Sequence, residues 1–194
     1  MERKYKITLK NAIKHFNTIN KHKWIVFKLC CKAGVPWRGL VHDLSKYSKE
    51  EFWDSVKYYQ EGKKSPIPIQ KEIEGFSKVW LHHRARNKHH SAYWYDLRAP
   101  IKMPIIPYKY TVEMICDKIS ASIVYTGKEW TNDTELQYWR NKERDVEPIN
   151  ESIKKVFDEV FLQVSKEGIN KTITSKNLKK IYNKYCKITE ESRS

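Results

Sequence analysis

Apolar residues recur every three or four positions along nearly the whole chain, which is the spacing of one buried face of an α-helix. The stretch from about Thr8 to Lys32 shows it clearly, with apolar residues at Ile13, Phe16, Ile19, Trp24, Phe27 and Cys30 or Cys31. No segment alternates strictly between apolar and polar residues, and no hairpin turn signal occurs. We therefore predict an all-α fold, a helical bundle in a single domain, since 194 residues suit one domain with a substantial core.

Glycine, proline and capping residues divide this pattern into segments. Gly34 and Pro36 end the first helix, and Ser48 with Glu51 has the spacing of a capping box that begins another. In the first half of the chain we predict a helix at 8–32, a short helix through 35–48, a helix at 48–62, a mobile surface loop from Gly62 to Pro68 and a helix from about Ile69 to Arg84. A short helix within 87–97, an irregular stretch to Pro107 and a helix from Tyr110 to Tyr125 follow. After an irregular or short helical connection, we predict a helix from Pro148 to about Lys166, a helix from about Ser175 to Tyr185 and a frayed tail.

The chain carries a formal net charge of +15 at pH 7, which indicates an anionic partner. Nucleic acid, nucleotides and acidic membrane surfaces all meet that description, and the lysines are spread evenly rather than gathered in a block. No apolar run reaches the roughly 18 to 20 residues of a membrane span, and the N-terminal stretch lacks the apolar core of a signal peptide. We therefore expect a cytoplasmic protein without a membrane partner, with its four cysteines reduced and mostly buried.

Histidines and aspartates mark the candidate functional site. Four of the seven histidines form two doublets between residues 82 and 90. Imidazole is the commonest metal ligand in proteins, so this concentration predicts a metal centre. The candidate ligands, in chain order, are His22, His42, Asp43, His82, His83, His89, His90 and Asp117.

Two consecutive residues of a helix cannot both face one site, so one member of each doublet is expected to be the ligand. We prefer His83 over His82 for the first doublet. For the second, both could be ligands only if the backbone turns between them, and we rank His89 slightly above His90. His82 and His90 are therefore the less certain members of the set.

Helical spacing also relates residues that lie further apart. His15 shares a face with His22 but lies seven residues away, about 10 Å along the axis at 1.5 Å per residue, and is expected to be a core or surface histidine. Glu113 and Asp117 are four residues apart, so both can point at one site from the same helix. Glu113 is expected either to act as an acid or base or to orient a ligand imidazole.

Two basic residues flank the His-Asp pair. Lys46 follows His42 by one helical turn, and Arg38 precedes it by four residues. Both could pair with the oxygens of a substrate phosphate. His42 and Asp43 can reach one cluster only where a helix starts or bends, which the neighbouring glycine and serine permit.

At these positions the chain resembles the HD-domain superfamily of metal-dependent phosphohydrolases. That superfamily is a helical bundle with a His on its first helix, an adjacent His-Asp on the second and a distal Asp on a later helix. Here those positions are His22, His42, Asp43 and Asp117. Members with two or three metals add histidines that correspond to His82 or His83 and to His89 or His90.

In some members a lysine three residues after the doublet contacts substrate phosphate, and the stretch HDLSK places Lys46 there. A closer similarity covers roughly Asn20 to Trp130. The phrases NKHKWIVFK, WRGLVHDLSKYS, EEFW, WLHHRARNKHHSAYW and VEMICDKISAS resemble a family of small, functionally uncharacterised proteins of bacteria and their phages. The similarity to that family therefore indicates no particular reaction.

The superfamily resemblance implies a divalent-metal-dependent phosphohydrolase. Its substrate would be a nucleotide or a related phosphate ester, either a monoester or a cyclic phosphodiester, and its cofactor one or two ions of Mn, Fe, Co, Mg or Zn. One ion would be held by His22, His42, Asp43 and Asp117, and a second by His83 and His89 with Asp43 bridging.

In the mechanism expected for such a phosphohydrolase, Lys46 and Arg38 neutralise phosphoryl oxygens and Glu113 relays a proton. Residues 1–147 would form the HD-like metal-binding core. Residues 148–194 would form a helical extension that packs on it.

Two other function classes fit the same residues. Some proteins that resemble the HD superfamily hold a mixed-valence di-iron pair and oxidise C–H or C–P bonds, and a His-rich set with two carboxylates would suit iron. The other is a non-catalytic phage protein that binds nucleotides or nucleic acid, which the charge and the basic segment from Lys171 to Lys187 suggest. An iron-dependent absorbance without phosphatase activity would favour the oxygenase, and DNA binding that survives roughly 200 mM salt would favour the binding protein.

Overall fold

Helices are the only regular elements in residues 5–60 and 65–187, the part of the chain that this computed structural model describes. They are α1 (Leu9–Lys32), α2 (Pro36–Val41), α3 (Lys49–Tyr58), α4 (Pro66–Glu74), α5 (Lys78–Arg86), α6 (Ser91–Trp94), α7 (Tyr108–Thr126), α8 (Thr134–Tyr138), α9 (Glu151–Glu167), α10 (Ile169–Thr172) and α11 (Ser175–Cys186). Short 3₁₀ turns occur at Leu44–Tyr47 and Gly127–Glu129, and a π-helical turn at Trp139–Glu143. The predicted all-α, single-domain fold is confirmed.

Helix α1 has a side-chain cap at its start and the predicted glycine stop at its end. The side-chain oxygen of Thr8 accepts a hydrogen bond from the N–H of Asn11 at 3.1 Å, which satisfies one of the free amides at the helix start. After Lys32 the chain turns at Gly34, whose φ of 78° favours glycine. One face of the helix is buried and carries Ala12, His15, Ile19, His22, Val26, Leu29 and Cys30. Two histidines therefore lie on the inner face of α1.

Helix α7 packs against α1, α2, α8 and α11. The π-helical turn and α9 supply a fully buried aromatic group, in which the ring of Trp139 lies 5.1 Å from that of Phe157 and 6.1 Å from that of Phe161. Burial of each phenylalanine side chain contributes about 1.5 to 3 kcal/mol. This apolar packing holds α7, which carries Glu113 and Asp117, in place against α1.

The predicted mobile loop from Gly62 to Pro68 is wrong for residues 66–68. Pro66 and Pro68 instead lie in the first turn of α4, because the N–H that proline lacks has no partner at a helix start. Ser65 caps this turn by accepting from Ile67 N–H at 3.4 Å. Residues 61–64 lie outside the described residues.

The single helix predicted from about Ile69 to Arg84 is wrong, because the structure has two helices there. Gly75 ends α4 in the left-handed region, with a φ of 77°. The hydroxyl of Ser77 then accepts from Trp80 N–H at 3.1 Å and caps α5. The break lets α5 take its own direction, with His82 and His83 in its second half.

The C-terminal helices α9 and α11 pack against each other, and α11 also contacts α7. Asn150 caps α9 by accepting from Ser152 N–H at 2.9 Å, so this helix begins after the predicted opening at Pro148. Helix α11 lies where the sequence predicted a last helix. The tail beyond residue 187 lies outside the described residues, and the boundary between a core of residues 1–147 and an extension of residues 148–194 stays a prediction.

Two findings concern the environment of the protein. The four cysteines are free, with Cys31 exposed and Cys30, Cys116 and Cys186 buried, as predicted. Among the described residues, no helix combines the length and the apolar character that crossing a bilayer requires.

Candidate metal centre

The His-Asp pair lies at a sharp bend rather than inside the predicted short helix. Helix α2 ends at Val41, His42 leaves it with a ψ of 130°, and Asp43 takes a left-handed conformation with a φ of 54° before the 3₁₀ turn begins. Among the described residues, Asp43 is the only non-glycine residue with a positive φ. Such a conformation costs about 1 to 2 kcal/mol, and aspartate tolerates it better than most residues. The bend directs both side chains inward.

Lys23 of α1 holds this bend from outside the cluster. Its ammonium group donates hydrogen bonds to the carbonyl oxygen of Leu40 at 2.7 Å and to that of His42 at 2.6 Å. These are two of the carbonyls left free where α2 ends, so a lysine there also suits the helix dipole. The contact connects α1 to the backbone of the His-Asp pair.

Asp43 presents its two carboxylate oxygens to different neighbours. Oδ2 lies 3.2 Å from His42 Nε2 and 4.0 Å from His22 Nε2. Oδ1 lies 3.3 Å from His83 Nε2 and 3.2 Å from His89 Nε2. Asp43 is 1% exposed, so both oxygens are removed from water. The carboxylate therefore separates two sets of imidazole nitrogens.

The first set of ligand atoms lies on the Oδ2 side. His22 Nε2 is 2.9 Å from Asp117 Oδ1, and His42 Nε2 is 3.4 Å from the same oxygen. One ligand atom from each member lies within 4.8 Å of the others. The members are His22, His42, Asp43 and Asp117.

The second set lies on the Oδ1 side and includes both members of a doublet. A turn closed by the hydrogen bond from His90 N–H to Asn87 O, at 3.1 Å, separates α5 from α6. The chain is not helical at the doublet, so the rings of His89 and His90 can lie side by side, 4.2 Å apart. The members of this set, again within 4.8 Å of one another, are Asp43, His83, His89 and His90.

Four side-chain atoms in the residues of the second set are buried and have no hydrogen-bond partner. They are Asp43 Oδ1, His89 Nδ1, His89 Nε2 and His90 Nε2. Leaving one such group unsatisfied costs about 1 to 3 kcal/mol, so a cluster of them calls for a ligand that accepts lone pairs. A divalent transition metal has that chemistry, and neutral imidazoles with a carboxylate are suitable donors. The residues present therefore fit a metal ion.

Outer carboxylates hold the far sides of three of these rings. Glu113 Oε1 lies 3.1 Å from His42 Nδ1 and 3.2 Å from His89 Nδ1. Glu51 Oε2 lies 2.8 Å from His83 Nδ1. A carboxylate on the far nitrogen fixes the orientation and tautomer of an imidazole and makes it a better donor.

Electrostatic coupling is strong at the Oδ2 side. Burial raises the pKa of Asp43, but His42 and Lys46 lower it by more, so the net pKa lies well below its ordinary range. Burial lowers the pKa of His42, yet its carboxylate neighbours, chiefly Asp43, raise it well above the ordinary value. Without a metal, His42 therefore carries a proton that a metal ion must displace.

His22 and His90 have the opposite tendency. Burial is the main cause that lowers the pKa of both rings, and for His90 the neighbouring His89 and His83 lower it further. Each ring is therefore neutral near pH 7 and has a lone pair available. These two histidines need no deprotonation before they bind a metal.

A family model described as a family of unknown function, DUF5662, matches residues 11–163 of the chain. The chain belongs to this family. The DUF5662 match includes both ligand sets, from His22 to Asp117, and ends inside α9. Comparisons with curated proteins and with solved structures find no match.

Within the DUF5662 segment, the structure brings the main predicted ligands together. Of the two less certain histidines, His90 joins the second set, while His82 turns away. His82 Nδ1 lies 2.7 Å from Glu51 Oε1, outside both ligand sets. The ligand residues that meet at Asp43 are His22, His42, His83, His89, His90 and Asp117.

Glu51 was missed as part of the site. Its spacing from Ser48 predicts a capping box, and the Ser48 hydroxyl does accept from Glu51 N–H at 3.3 Å. The Glu51 carboxylate, however, contacts His82 and His83 on α5. Nothing local in the sequence indicates this contact, because it joins two helices more than thirty residues apart.

Arg38 and Glu113 are close to the cluster but engaged with each other. Arg38 Nε donates to Glu113 Oε2 at 2.7 Å, and the guanidinium group lies 4.8 Å from the ring centre of Tyr110. Burial raises the pKa of Glu113, but hydrogen bonds from His42 and Arg38 and the nearby His89 ring bring it down to about 2. Of the two predicted roles for Glu113, the geometry supports orienting imidazoles rather than relaying a proton.

Lys46 lies at the mouth of the cluster. Its Nζ is 2.5 Å from Asp43 Oδ2, and the side chain keeps 29% exposure. Burial lowers its pKa, but the Asp43 carboxylate raises it by more, so the group stays positively charged. Lys46 also faces a cavity of about 170 Å³ beside the first ligand set. The cavity is lined by His15, Thr18, Ile19, His22, Lys46, Glu51, Ser55, Ser65, Pro66, Ile67, Val79, His83, Asp117, Ala121 and Tyr125.

Proposed function

We propose that the chain is a divalent-metal-dependent phosphohydrolase of the HD type, acting on a nucleotide or a related phosphate ester, either a monoester or a cyclic phosphodiester. The observation that carries this proposal is the position of Asp43, whose two oxygens face two sets of ligand residues, most of them buried. A bridging carboxylate between two such sets suits a pair of ions. The order of ligands along the chain supports the superfamily assignment.

Two ions, or one, would be held by residues on both sides of Asp43. His22, His42 and Asp117 would complete the first position, and His83, His89 and His90 the second. Mn, Fe, Co, Mg or Zn are the candidate ions, with the many imidazoles favouring the transition metals. Divalent ions at such a centre lower the pKa of water and polarise a phosphoryl oxygen.

The protein's own groups would position the ester and hold the ligands. Lys46, charged and facing the cavity, would pair with a phosphoryl oxygen once metal has replaced it at Asp43. Glu113 and Glu51 would keep the imidazole rings aimed at the centre. Arg38 would neutralise Glu113 and so act behind the ligands, not on the substrate.

The partner of this enzyme would be an anionic small molecule. The net charge of +15 would attract phosphate esters over a distance of about one Debye length. The same charge would attract nucleic acid, which is the weaker alternative. We infer a cytoplasmic location because the cysteines are free, as thiols are in that compartment.

A metal-dependent substrate screen tests the proposal. Nucleoside mono-, di-, tri- and cyclic phosphates would be offered with Mn²⁺, Mg²⁺, Co²⁺, Fe²⁺ and Zn²⁺ to the wild type, to Asp43→Asn and to Asp145→Asn. Asparagine tolerates the left-handed backbone at position 43, so the first variant should fold. Asp145 is 88% exposed in its side chain and serves as the matched control.

We expect turnover of one ester class by the wild type and by Asp145→Asn, and a loss of at least about a hundredfold, with weaker Mn²⁺ binding, in Asp43→Asn. The absence of metal binding by the wild type would contradict the proposal. An iron-dependent absorbance with no phosphatase activity would favour the di-iron oxygenase over the phosphohydrolase. Nucleic-acid binding that survives roughly 200 mM salt, with no turnover, would replace it with the binding protein.

A further inference from the structure

His15 is a buried histidine that belongs to neither ligand set. It is 7% exposed, and its Nδ1 has no hydrogen-bond partner. The rings of Phe52 and Tyr59 lie 5.6 and 5.7 Å from it and hold it against α3. His15 also lines the cavity beside the metal centre. A polar ring at a cavity wall can form a hydrogen bond with a bound molecule.

The cavity extends along α1 from the metal centre to His15. Positions 15, 18, 19 and 22 of α1 all line it, which is the i, i+3, i+4, i+7 stripe of one helix face. Helix α7 supplies a similar stripe at positions 117, 121 and 125. His15 and His22 are about 10 Å apart along the axis at 1.5 Å per residue. A molecule with its phosphate near His22 would therefore place its other end near His15.

The His15 end of the cavity suits a neutral polar group. Burial is the main cause that lowers the pKa of His15, the nearby charge of Lys46 adds to it, and together they bring the pKa to about 4. The ring is therefore uncharged at neutral pH and carries one N–H donor and one acceptor nitrogen. A hydroxyl group, which both donates and accepts, matches it, whereas a second phosphate would find no positive charge from this ring.

The other walls combine side chains that carry hydroxyl groups with apolar side chains. Thr18, Ser55, Ser65 and Tyr125 supply hydroxyls, while Ile19, Ile67, Val79 and Ala121 supply apolar surface. The volume of about 170 Å³ is below the ~300–1,000 Å³ of pockets for drug-sized ligands. A small group with several hydroxyls and an apolar carbon face, such as a pentose, has this chemistry.

We propose that His15 is a specificity-determining residue whose imidazole forms a hydrogen bond with a hydroxyl of a sugar esterified to the phosphate. The sugar can belong to a free sugar phosphate or to a nucleoside monophosphate. This inference rests on the proposed phosphohydrolase function and narrows its substrate class. It assigns His15 a contact with substrate and no role in holding metal.

The test compares phosphate esters that carry sugar hydroxyls with one that carries none. Ribose 5-phosphate, cyclopentylmethyl phosphate and adenosine 5′-monophosphate would be offered with Mn²⁺ to the wild type, His15→Leu, His15→Asn and Phe16→Leu. Leucine keeps much of the ring's volume without a polar atom, and asparagine places an amide near the position of Nδ1. Phe16 is an aromatic residue on the same helix that does not line the cavity, so Phe16→Leu is the control.

His15→Leu should lower kcat/KM for ribose 5-phosphate by about tenfold, chiefly through KM, and leave cyclopentylmethyl phosphate nearly unchanged. His15→Asn should recover part of the loss, and Phe16→Leu should show none. Mn²⁺ binding and the melting temperature of each variant would show that the centre and the fold are intact. A parallel loss with the adenosine ester identifies the nucleotide as the source of the sugar, and a loss confined to ribose 5-phosphate identifies the free sugar phosphate.

Equal effects of His15→Leu on the ribose and cyclopentyl esters would overturn the inference and leave the proposed function standing. If no ester is hydrolysed, calorimetry with ribose 5-phosphate in Mn²⁺ separates the two ideas. If ribose 5-phosphate binds, and His15→Leu weakens this binding while Phe16→Leu does not, the sugar site is supported even though no ester is hydrolysed. Absence of binding to the wild type would overturn the sugar site as well.

Discussion

Glu113 Oε1 lies 3.1 Å from His42 Nδ1, so the carboxylate stands directly behind a ring whose other nitrogen faces Asp43 and Asp117. We predict that Glu113→Gln weakens Mn²⁺ binding by about 10- to 100-fold, because an amide holds the imidazole less firmly and makes it a poorer donor. Calorimetric titration of the metal-free protein measures the change. Glu159→Gln, on α9 and paired with Lys184, is the control, and equal affinities for the two variants would contradict this role for Glu113.

The two less certain histidines should behave differently. His90 belongs to the second ligand set, whereas His82 Nδ1 contacts Oε1 of Glu51. We expect His90→Ala to lose one metal ion per chain, or to bind it at least about tenfold more weakly, while His82→Ala keeps the wild-type stoichiometry. Elemental analysis after dialysis against Mn²⁺ measures both. Loss of metal from His82→Ala alone would show that the ligands are assigned to the wrong member of the doublet.

Metal affinity should rise with pH. The pKa of His42 is raised by Asp43, so the ring keeps its proton to a higher pH than an ordinary histidine and metal must displace that proton. Below this elevated pKa, Mn²⁺ affinity should increase by roughly tenfold per pH unit for one released proton, and the increase should level off as pH passes the pKa. Titrations over a pH series in two buffers of different ionisation enthalpy would count the protons. An affinity independent of pH, with no proton release, would be inconsistent with a protonated His42.

Glu135 should make the fold less stable as pH rises. It is 3% exposed, its Oε1 has no hydrogen-bond partner, and burial is the main cause that raises its pKa from 4.5 to about 8. Between these values the folded state keeps a proton that the unfolded state has released, so the free energy of unfolding falls as pH rises through this window.

Glu135→Gln removes that dependence. We expect it to stabilise the protein at about pH 8 by on the order of 2 to 4 kcal/mol and to have little effect near the lower limit of the window. Urea unfolding at both pH values gives the comparison, with Glu129→Gln, an exposed residue just beyond α7, as the control. The same stability difference at both pH values would count against a protonated Glu135.

Much of the helical architecture was accessible from local sequence patterns. Helix α1 ends at the predicted glycine, Gly34, and α3 has the predicted cap at Ser48. Periodicity and capping depend on residues within one or two turns, which is why they can be read from the chain. The break at Gly75 was not foreseen, because a glycine inside an apolar periodic pattern can also continue a helix.

The sequence by itself determined the all-α class and the main residues of the candidate site, since residue type and order along the chain carry both. Only the tertiary structure decided that Glu51 supports His83, that His90 joins His89 beside Asp43, and that His15 faces a cavity. These relationships join residues on different helices or depend on a turn. Their geometry follows from how the helices pack, and helix packing is set by the buried side chains of the whole domain rather than by any local pattern.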